Sequence, residues 1–292
     1  MEAQARGGWT WKCRDHEFYP GTKPILMGIL NVTPDSFSDG GQFFDGQRAV
    51  ERGLVMMREG AGIIDVGGES TRPGAEPVTE AEELSRVIPV IKALNRSSGA
   101  VLSVDTRKSA VAGEALKAGA HIVNDISALT ADARMVDVVR AFRAGVVLMH
   151  MSGEPRTMQA NPCYEDVVRE VRDTLRARIE VLAEQGLDRE SMAIDPGIGF
   201  GKTAEHNIRL LACLGVFRAL GRPIVLGLSR KSFLGHLTGR EVGERLAGSL
   251  GALAYGLVEG AHVMRVHDVR ESRDVIEVVN ALLREKQALC SG

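Results

Sequence analysis

The sequence predicts a (β/α)8 barrel, the TIM barrel, an α/β fold in which eight parallel strands alternate with eight helices. Eight short apolar stretches recur along the 292 residues, and each is followed by a segment of helical periodicity. The stretches are apolar on both faces, which is typical of parallel strands covered by helices. Eight such units over about 250 residues fit a closed barrel. A doubly wound open sheet fits less well, because it usually has fewer strands and a glycine-rich first turn.

The predicted strands and helices alternate along the chain. Helix starts are marked by residues such as Thr79, an N-cap with Glu82 three positions later. Helix ends are marked by glycines in the joints "REGAG", "KAGAH", "FRAGV" and "VEGAH", where a short turn into a strand needs a residue that tolerates positive φ. The predicted strands are 24–31, 62–68, 100–106, 121–127, 145–151, 192–198, 223–229 and 262–268. The predicted helices are 46–59, 80–94, 108–118, 131–144, 164–185, 205–220, 243–259 and 271–284.

The segment before the first barrel strand has a separate predicted role. We expect residues 1–23 to form an N-terminal extension, a short strand or hairpin that closes the barrel floor. Trp9 and Trp11 are the expected apolar plugs of that floor. Residues 24–292 then form a single barrel domain.

Bulk composition narrows the class of protein. The net charge is −2, with 36 Lys and Arg against 38 Asp and Glu, so no dominant basic field favours nucleic acid or an anionic membrane. The four cysteines lie far apart, which favours free thiols over a zinc site or a disulfide framework. No run reaches the ~20 apolar residues of a membrane span, and the N-terminus has no apolar signal core. These observations predict a soluble, cytoplasmic protein.

Nearly every predicted strand ends in a polar residue. Carboxyl ends of the strands form the rim at which such barrels carry their chemistry. These rim residues are Asn31, Asp65, Glu69, Asp105, Asn124, Asp125, His150, Asp195, Ser229, Lys231, His267 and Asp268.

Two groups of rim residues suggest what the site binds. Cations on the loops, Arg72, Arg230, Lys231, Arg265 and His267, suit an anion with several oxygens, although each could instead pair with a neighbouring carboxylate. Acids and amides on the middle strands lie among apolar side chains, an arrangement suited to a flat heteroaromatic with N–H donors along its edge.

Mg²⁺ arriving with a phosphate is more plausible than a tightly held transition metal. The first two loops are expected to close over the ligand, or else to be ordinary solvated loops.

The stretch "DPGIGFGKT" at 195–203 resembles a phosphate-binding P-loop. A P-loop requires a glycine at position 196, where this chain has Pro196. We therefore interpret the stretch as a strand end entering a loop, in which Asp195 faces the ligand and the glycines let the backbone approach it. Lys202 is left without an assigned role.

The motifs that contain these residues resemble those of the dihydropteroate synthases, enzymes of the folate pathway. "ILNVTPDSFSDGG", "IDVGGESTRPGA", "SVDT", "VNDIS", "MHM", "DPGIGFGK", "LSRKSFLG" and "RVHDV" occur in the family's order and at strand ends. The resemblance implies that p-aminobenzoate is joined to 6-hydroxymethyl-7,8-dihydropterin diphosphate, giving 7,8-dihydropteroate and diphosphate through a carbocation-like substitution. It also implies Mg²⁺ as the cofactor, competition by sulfonamides, and a homodimer.

The resemblance also implies a role for each matching residue. The residues implied as catalytic are Lys231, Asp105, Asp35 and Arg72. Those implied to bind the pterin are Asp105, Asn124, Asp195, Lys231, Ile126, Met149, Phe200 and Gly227. Those implied to bind the diphosphate are Asn31, Thr71, Arg72, Arg265 and His267, with Asn31 also the metal ligand. Those implied to form the p-aminobenzoate pocket are Phe37, Thr71, Pro73, Lys231 and Ser232.

Two other functions are compatible with the same barrel. Methyltetrahydrofolate:corrinoid methyltransferases use similar pterin contacts, but they have no use for the intact motifs "TPDSF", "STRPG" and "SRKSF". A pterin-binding paralogue without synthase activity would be expected to lose loop residues. This chain retains Asn31, Arg72, Lys231 and His267.

Overall fold

Eight parallel strands form a closed barrel. The computed structural model describes residues 8–19, 23–33, 42–70, 75–97 and 99–290, with the backbone alone at 42–45 and 290. The barrel strands are β3 (Ile25–Asn31), β4 (Ile63–Gly67), β5 (Val101–Asp105), β6 (Ile122–Asp125), β7 (Gly145–Met149), β8 (Met192–Asp195), β9 (Val225–Gly227) and β10 (Val263–Val266). Their order around the sheet is β8-β7-β6-β5-β4-β3-β10-β9, and a parallel bridge between Ile194 and Ile224 joins the two ends. The predicted fold and its eight strands are confirmed.

Helices follow the strands, as the periodicity predicts. They are α1 (Gln42–Glu59), α2 (Glu80–Ser97), α3 (Ser109–Ala118), α4 (Met135–Phe142), α5 (Val167–Glu184), α6 (Ala204–Ala212), α7 (Ser232–Thr238), α8 (Leu246–Val258) and α9 (Val269–Cys290). The short helix α7 was not predicted, because its seven residues are too few to show a helical period. Among the helices of the described residues, none is both long and apolar enough to cross a bilayer.

An antiparallel hairpin closes the barrel floor, as predicted. It consists of β1 (Trp11–Cys13) and β2 (His16–Phe18). Trp11 is fully buried among the first inward-facing side chains of the strands, and its Nε1 donates to the carbonyl of Ser191 at 3.0 Å. Trp9 is also buried and donates to Nε2 of His262 at 3.0 Å. The domain boundary at residues 23 and 24 stays a prediction.

One of the glycines predicted to end a helix, Gly145, has a different role. In the joint "FRAGV" the left-handed residue is Arg143, with φ of 51°, and Gly145 begins β7 instead. A Cβ at Gly145 would lie 2.3 Å from Sγ of Cys13 in the hairpin. Glycine is required there by the close approach of the floor hairpin to the strand.

Candidate active site

Four rim residues lie side by side on neighbouring strands. The strand register pairs Asn31 with Gly67, Gly67 with Asp105, and Asp105 with Asn124. Residues in register lie on the same face of a sheet, so these positions face the barrel interior together. A Cβ at Gly67 would lie 3.5 Å from Cβ of Asp105 and 3.7 Å from Oδ1 of Asn31. Glycine therefore leaves a space between the carboxylate and the amide that a ligand can enter.

A buried ion network lies directly below this row. Nε of Arg265 donates to Oδ2 of Asp65 at 2.7 Å, and its Nη2 donates to Oδ2 of Asp105 at 2.6 Å. Nδ2 of Asn124 donates to the same oxygen of Asp65 at 2.9 Å. Asp65 is fully buried, so it orients both Arg265 and Asn124. Asp65 thus binds two predicted ligand residues, Asn124 and Arg265, and Arg265 in turn binds a third, Asp105. The sequence predicted only that Asp65 lies on the rim.

The charges of this network depend on one another. Burial raises the pKa of Asp105 to about 7, and the Arg265 guanidinium opposes that rise. Burial acts to lower the pKa of Arg265, but Asp65 and Asp105 outweigh it and raise that pKa above its ordinary value. Arg265 therefore stays charged, whereas Asp105 can gain or lose a proton near neutrality.

Asp195 and Lys231 are two further ionisable residues on the rim, and each affects the pKa of the other electrostatically. Asp195 is buried, and its Oδ1 accepts from the backbone N–H of Gly197 at 2.7 Å. Nζ of Lys231 lies 4.1 Å from the ring centroid of Phe200, within cation–π range. Burial lowers the pKa of Lys231 to about 8, with Asp195 opposing that fall. Burial raises the pKa of Asp195, and the Gly197 N–H and Lys231 oppose this rise.

Other residues predicted for the pterin and p-aminobenzoate sites lie at strand ends or at a helix start. Met149 and Ile126 are buried at or just beyond the ends of β7 and β6. Gly227 pairs in register with Arg265, which leaves the wall of the slot open beside the guanidinium. Ser232 is exposed at the first residue of α7.

His267, just after β10, and Arg230, just after β9, differ in their surroundings. Nδ1 of His267 lies 3.0 Å from Oγ of Ser229, which fixes the orientation of the imidazole. Arg230 forms a bidentate pair with Asp268, at 2.6 and 3.2 Å. Arg230 thus fits the alternative of local pairing with a neighbouring carboxylate.

Several side chains near the rim have structural roles. Asp125 accepts from N and Oγ of Ser127 at 2.7 and 2.6 Å, and so caps the turn after β6. Glu69 pairs with Lys108 and Arg107, and Lys108 also contacts the buried carboxylate of Glu83 at 2.5 Å. This network anchors the start of the loop after β4. Sequence reasoning missed it because the partners lie on three different elements.

Five predicted site residues, Asp35, Phe37, Thr71, Arg72 and Pro73, lie outside the described residues. Their roles, like those of the other site residues, stay predictions.

One group of metal-binding side-chain types occurs among the described residues, far from the rim. Asp15, His16 and His121 lie together at the floor hairpin. Nδ1 of His121 accepts from the backbone N–H of Leu102 at 3.1 Å, so neutral His121 carries its proton on Nε2, the nitrogen that would face an ion. Metal-bound histidines donate from the second nitrogen instead, and we do not assign a metal site here.

Comparison with known proteins identifies relatives of this barrel. The family model described as pterin binding enzyme matches residues 27–267. Dihydropteroate synthase of Escherichia coli strain K12 is 46% identical over 264 residues, which cover 90% of this chain and 93% of the relative. The Xanthomonas albilineans dihydropteroate synthase structure with 4-aminobenzoic acid has a TM-score of 0.88 and 44% identity, covering 94% of this chain and 98% of the other. The structure of the X. albilineans synthase with 7,8-dihydropteroate has a TM-score of 0.84 and 42% identity, with the same coverage.

Proposed function

The chain belongs to the pterin-binding enzyme family, among the dihydropteroate synthases, and from this we propose the reaction performed at its rim. The enzyme joins p-aminobenzoate to 6-hydroxymethyl-7,8-dihydropterin diphosphate, giving 7,8-dihydropteroate and diphosphate. The observation that carries the proposal is the set of carboxylates and amide, Asp105, Asn124 and Asp195, held beside the Phe200–Lys231 pair.

The proposed pterin site follows from hydrogen-bonding types. A dihydropterin presents N–H donors and ring acceptors along one edge, and ionised Asp105 and Asp195 accept from such donors. Asn124 offers both an acceptor and donors, and Lys231 supplies a donor for the ring's carbonyl and N5 side. Phe200, Met149 and Ile126 are apolar and cover the ring faces.

The proposed diphosphate site lies at the neighbouring strand ends. Two N–H groups of Arg265 already bind carboxylates, while its Nη1 has no recorded acceptor among the described residues. Nη1 and the imidazole of His267 are therefore our proposed diphosphate ligands on β10 and just beyond it. Thr71 and Arg72, which follow β4 in the sequence, are the other proposed diphosphate ligands.

Mg²⁺ fits the donors of this end of the site. Oδ1 of Asn31 borders the space that the missing side chain of Gly67 leaves, and an amide oxygen is a hard ligand of the kind Mg²⁺ prefers. We propose that Asn31 holds the ion together with diphosphate oxygens. The bound ion would offset negative charge on the leaving group.

The chemical step is a substitution at the exocyclic CH₂ carbon of the pterin. The C–O bond to diphosphate breaks first, leaving a carbocation-like centre. The amine nitrogen of p-aminobenzoate then forms the new C–N bond and loses a proton to the departing diphosphate. This chain's residues assist by holding the diphosphate charge at Arg265 and His267 and by keeping the pterin fixed. Asp35, Phe37, Pro73 and Ser232 are the proposed residues that organise the p-aminobenzoate site and exclude water from it.

The proposal is tested by mixing the purified protein with the pterin diphosphate, p-aminobenzoate and Mg²⁺, and measuring diphosphate release together with dihydropteroate. We expect turnover that stops with EDTA, resumes with added Mg²⁺, and is competed by a sulfonamide. Binding of the pterin without turnover would indicate a non-catalytic pterin-binding protein. Methyl transfer from methyltetrahydrofolate to a corrinoid would indicate the methyltransferase alternative.

A homodimer is our proposal for the assembly. Tyr255 and Val258 on α8 are exposed apolar residues, as is Val216 in the 3-10 helix Leu214–Leu220 between α6 and β9. The Tyr255 hydroxyl lies 3.5 Å from the carbonyl of Ala212, the last residue of α6. An exposed apolar patch on one face is typical of an interface. Light scattering should give twice the chain mass of 31.5 kDa, and Val258→Asp should give the single mass.

We also propose a cytoplasmic location. Cys13, Cys163 and Cys213 are free thiols, as expected for a reducing compartment.

A further inference from the structure

The loop after β8 is pressed against the segment after β7. We call residues 196–201 the glycine loop. Gly197 has φ of 70°, and a Cβ there would lie 1.9 Å from the carbonyl oxygen of His150. Gly201 has φ of 63°, and a Cβ there would lie 2.3 Å from the carbonyl oxygen of Ser152. Only glycines allow the two backbones to pack at this distance.

Lys202 joins these two segments from within. Its side chain is 3% exposed, and Nζ lies 3.0 Å from Nδ1 of His150, 3.3 Å from the His150 carbonyl and 3.0 Å from the Phe200 carbonyl. An ammonium has three N–H groups, and each has one acceptor here. Two of the acceptors belong to the segment after β7 and the third belongs to the glycine loop.

The two segments that Lys202 joins carry opposite parts of the proposed pterin slot. His150 directly follows Met149, and the Phe200 carbonyl belongs to the residue whose ring lies next to Lys231. A Cβ at Gly199 would lie 3.1 Å from Cδ of Lys231, so the loop backbone also supports that side chain. A shift of the glycine loop would therefore move Phe200 and Lys231 relative to Met149.

We propose that Lys202 is a positioning residue that sets the width of the pterin slot by tying the glycine loop to the segment after β7. The inference rests on the proposed function, because it concerns the same pterin site. Lys202 does not bind the diphosphate, since its three donors are used and it is buried.

Burial changes the protonation of both Lys202 and His150. Burial lowers the pKa of Lys202 to about 7, opposed by Asp195 and assisted by Lys231. Burial, with the Lys202 charge, lowers the pKa of His150 to about 3, so His150 is neutral and its Nδ1 can accept. A buried ammonium is costly unless its bonds are satisfied, and a methionine of similar size would fill the same space more cheaply. The presence of a lysine here therefore points to a role in the geometry or charge of the slot.

The variant Lys202→Met tests whether Lys202 positions the pterin slot or only stabilises the fold. We expect the dissociation constant of 6-hydroxymethyl-7,8-dihydropterin, measured by calorimetry without the second substrate, to rise at least tenfold while the melting temperature changes little. The KM for the pterin diphosphate should rise in parallel, and the KM for p-aminobenzoate should change less than threefold. Lys202→Arg, which keeps charge and donors, should recover part of the affinity. Lys117→Met on the exposed face of α3 is the control and should change neither constant.

The pH dependence of pterin binding is a second readout. Lys202, Lys231 and Arg265 each lower the pKa of Asp195, so Lys202→Met should move the acidic limb of pterin affinity to higher pH. If the variant is poorly folded, Gln159→Ala replaces it, because Nε2 of Gln159 donates to the Gly199 carbonyl from the exposed side at 2.7 Å. A threefold rise in the pterin dissociation constant is expected for that variant. Unchanged pterin affinity in folded Lys202→Met would overturn the inference, whereas failure of the wild type to release diphosphate would overturn the proposed function instead.

Discussion

The guanidinium of Arg265 donates to the carboxylate of Asp105 across 2.6 Å, and to the fully buried carboxylate of Asp65 across 2.7 Å. The cation proposed for the diphosphate and the carboxylate proposed for the pterin are therefore partners before any ligand binds. Because Arg265 and Asp105 already hold each other in place, fewer side-chain conformations have to be fixed when the ligand binds.

Removing this cation should destabilise the fold in a pH-dependent way. Arg265→Met leaves Asp65 and Asp105 without their shared partner, and losing one member of a buried ion pair costs about 3 kcal/mol of unfolding free energy. Burial already raises the pKa of Asp105, and Arg265 opposes that rise, so the variant's Asp105 should take up a proton at higher pH than the wild type's. Urea unfolding at pH 7.5 and pH 5.5 should show a larger deficit at the higher pH. An equal loss of unfolding free energy at both pH values would contradict the expectation that the carboxylates are ionised at pH 7.5.

Lys231 should lower stability while serving the reaction. Its pKa in the folded protein is about 8, below the ordinary value of 10.5, so folding favours its neutral form. The resulting destabilisation is complete below pH 8 and is relieved as pH rises from about 8 to 10.5. Lys231→Met should raise the unfolding free energy by about 1 kcal/mol at pH 7, and the gain should shrink by pH 10.

Activity should show the opposite dependence on Lys231. The kcat/KM for the pterin diphosphate should fall as pH rises through about 8 in the wild type, because the charged donor is lost. In Lys231→Met, kcat/KM should fall at least a hundredfold at pH 7, equivalent to about 2.7 kcal/mol. A folded variant with near-normal turnover would remove Lys231 from the mechanism.

Gly197 in the glycine loop and Gly221 outside it offer a matched pair of substitutions. Gly197 and Gly221 both have left-handed backbones, with φ of 70° and 63°, but a Cβ at Gly197 meets the His150 carbonyl at 1.9 Å and one at Gly221 meets nothing within 4 Å. Gly221→Ala should cost about 1 kcal/mol for the backbone alone. Gly197→Ala should cost at least about 3 kcal/mol or abolish folding, because the backbones must separate. Similar melting temperatures for the two variants would contradict the contact.

The strand-end rule predicted most of the described site, since Asn31, Asp105, Asn124 and Asp195 follow directly from where each strand stops. Alternation along the strand then decides which of them face inward. Asp125 is adjacent to Asn124, yet it caps a turn instead of facing the site. Because successive side chains of a strand point to opposite faces, the sequence could have predicted that only one of the two faces inward. Asp65 was recognisable as a charge within the apolar strand "IIDVG", which requires a buried partner.

Partner identity was the part that the sequence did not reveal. Arg230 and Arg265 look alike as loop-end cations, but Arg230 pairs with Asp268 and Arg265 enters the barrel. Lys202 was left without an assigned role, and the structure shows it buried, with Nζ contacting both His150 and the Phe200 carbonyl. Such pairings depend on which side chains the closed ring brings together, and spacing along the chain does not encode that.

The barrel floor should carry stability without carrying activity. Trp11 is fully buried, its indole N–H is bonded to the Ser191 carbonyl, and it packs among the starts of the strands, at the end opposite the rim. Trp11→Ala should lower the unfolding free energy by about 4 kcal/mol, because it removes a large core side chain and orphans that carbonyl. The melting temperature should fall by roughly 7 °C.

The same variant should keep its catalytic constants. With the rim side chains unchanged, kcat/KM at 15 °C should remain within twofold of the wild type. Leu237→Ala, on an exposed position of α7, is the control and should leave the melting temperature nearly unchanged. Loss of activity in parallel with the folded fraction would be consistent with this separation of roles, whereas loss of activity in fully folded Trp11→Ala would show that the floor and the rim are coupled.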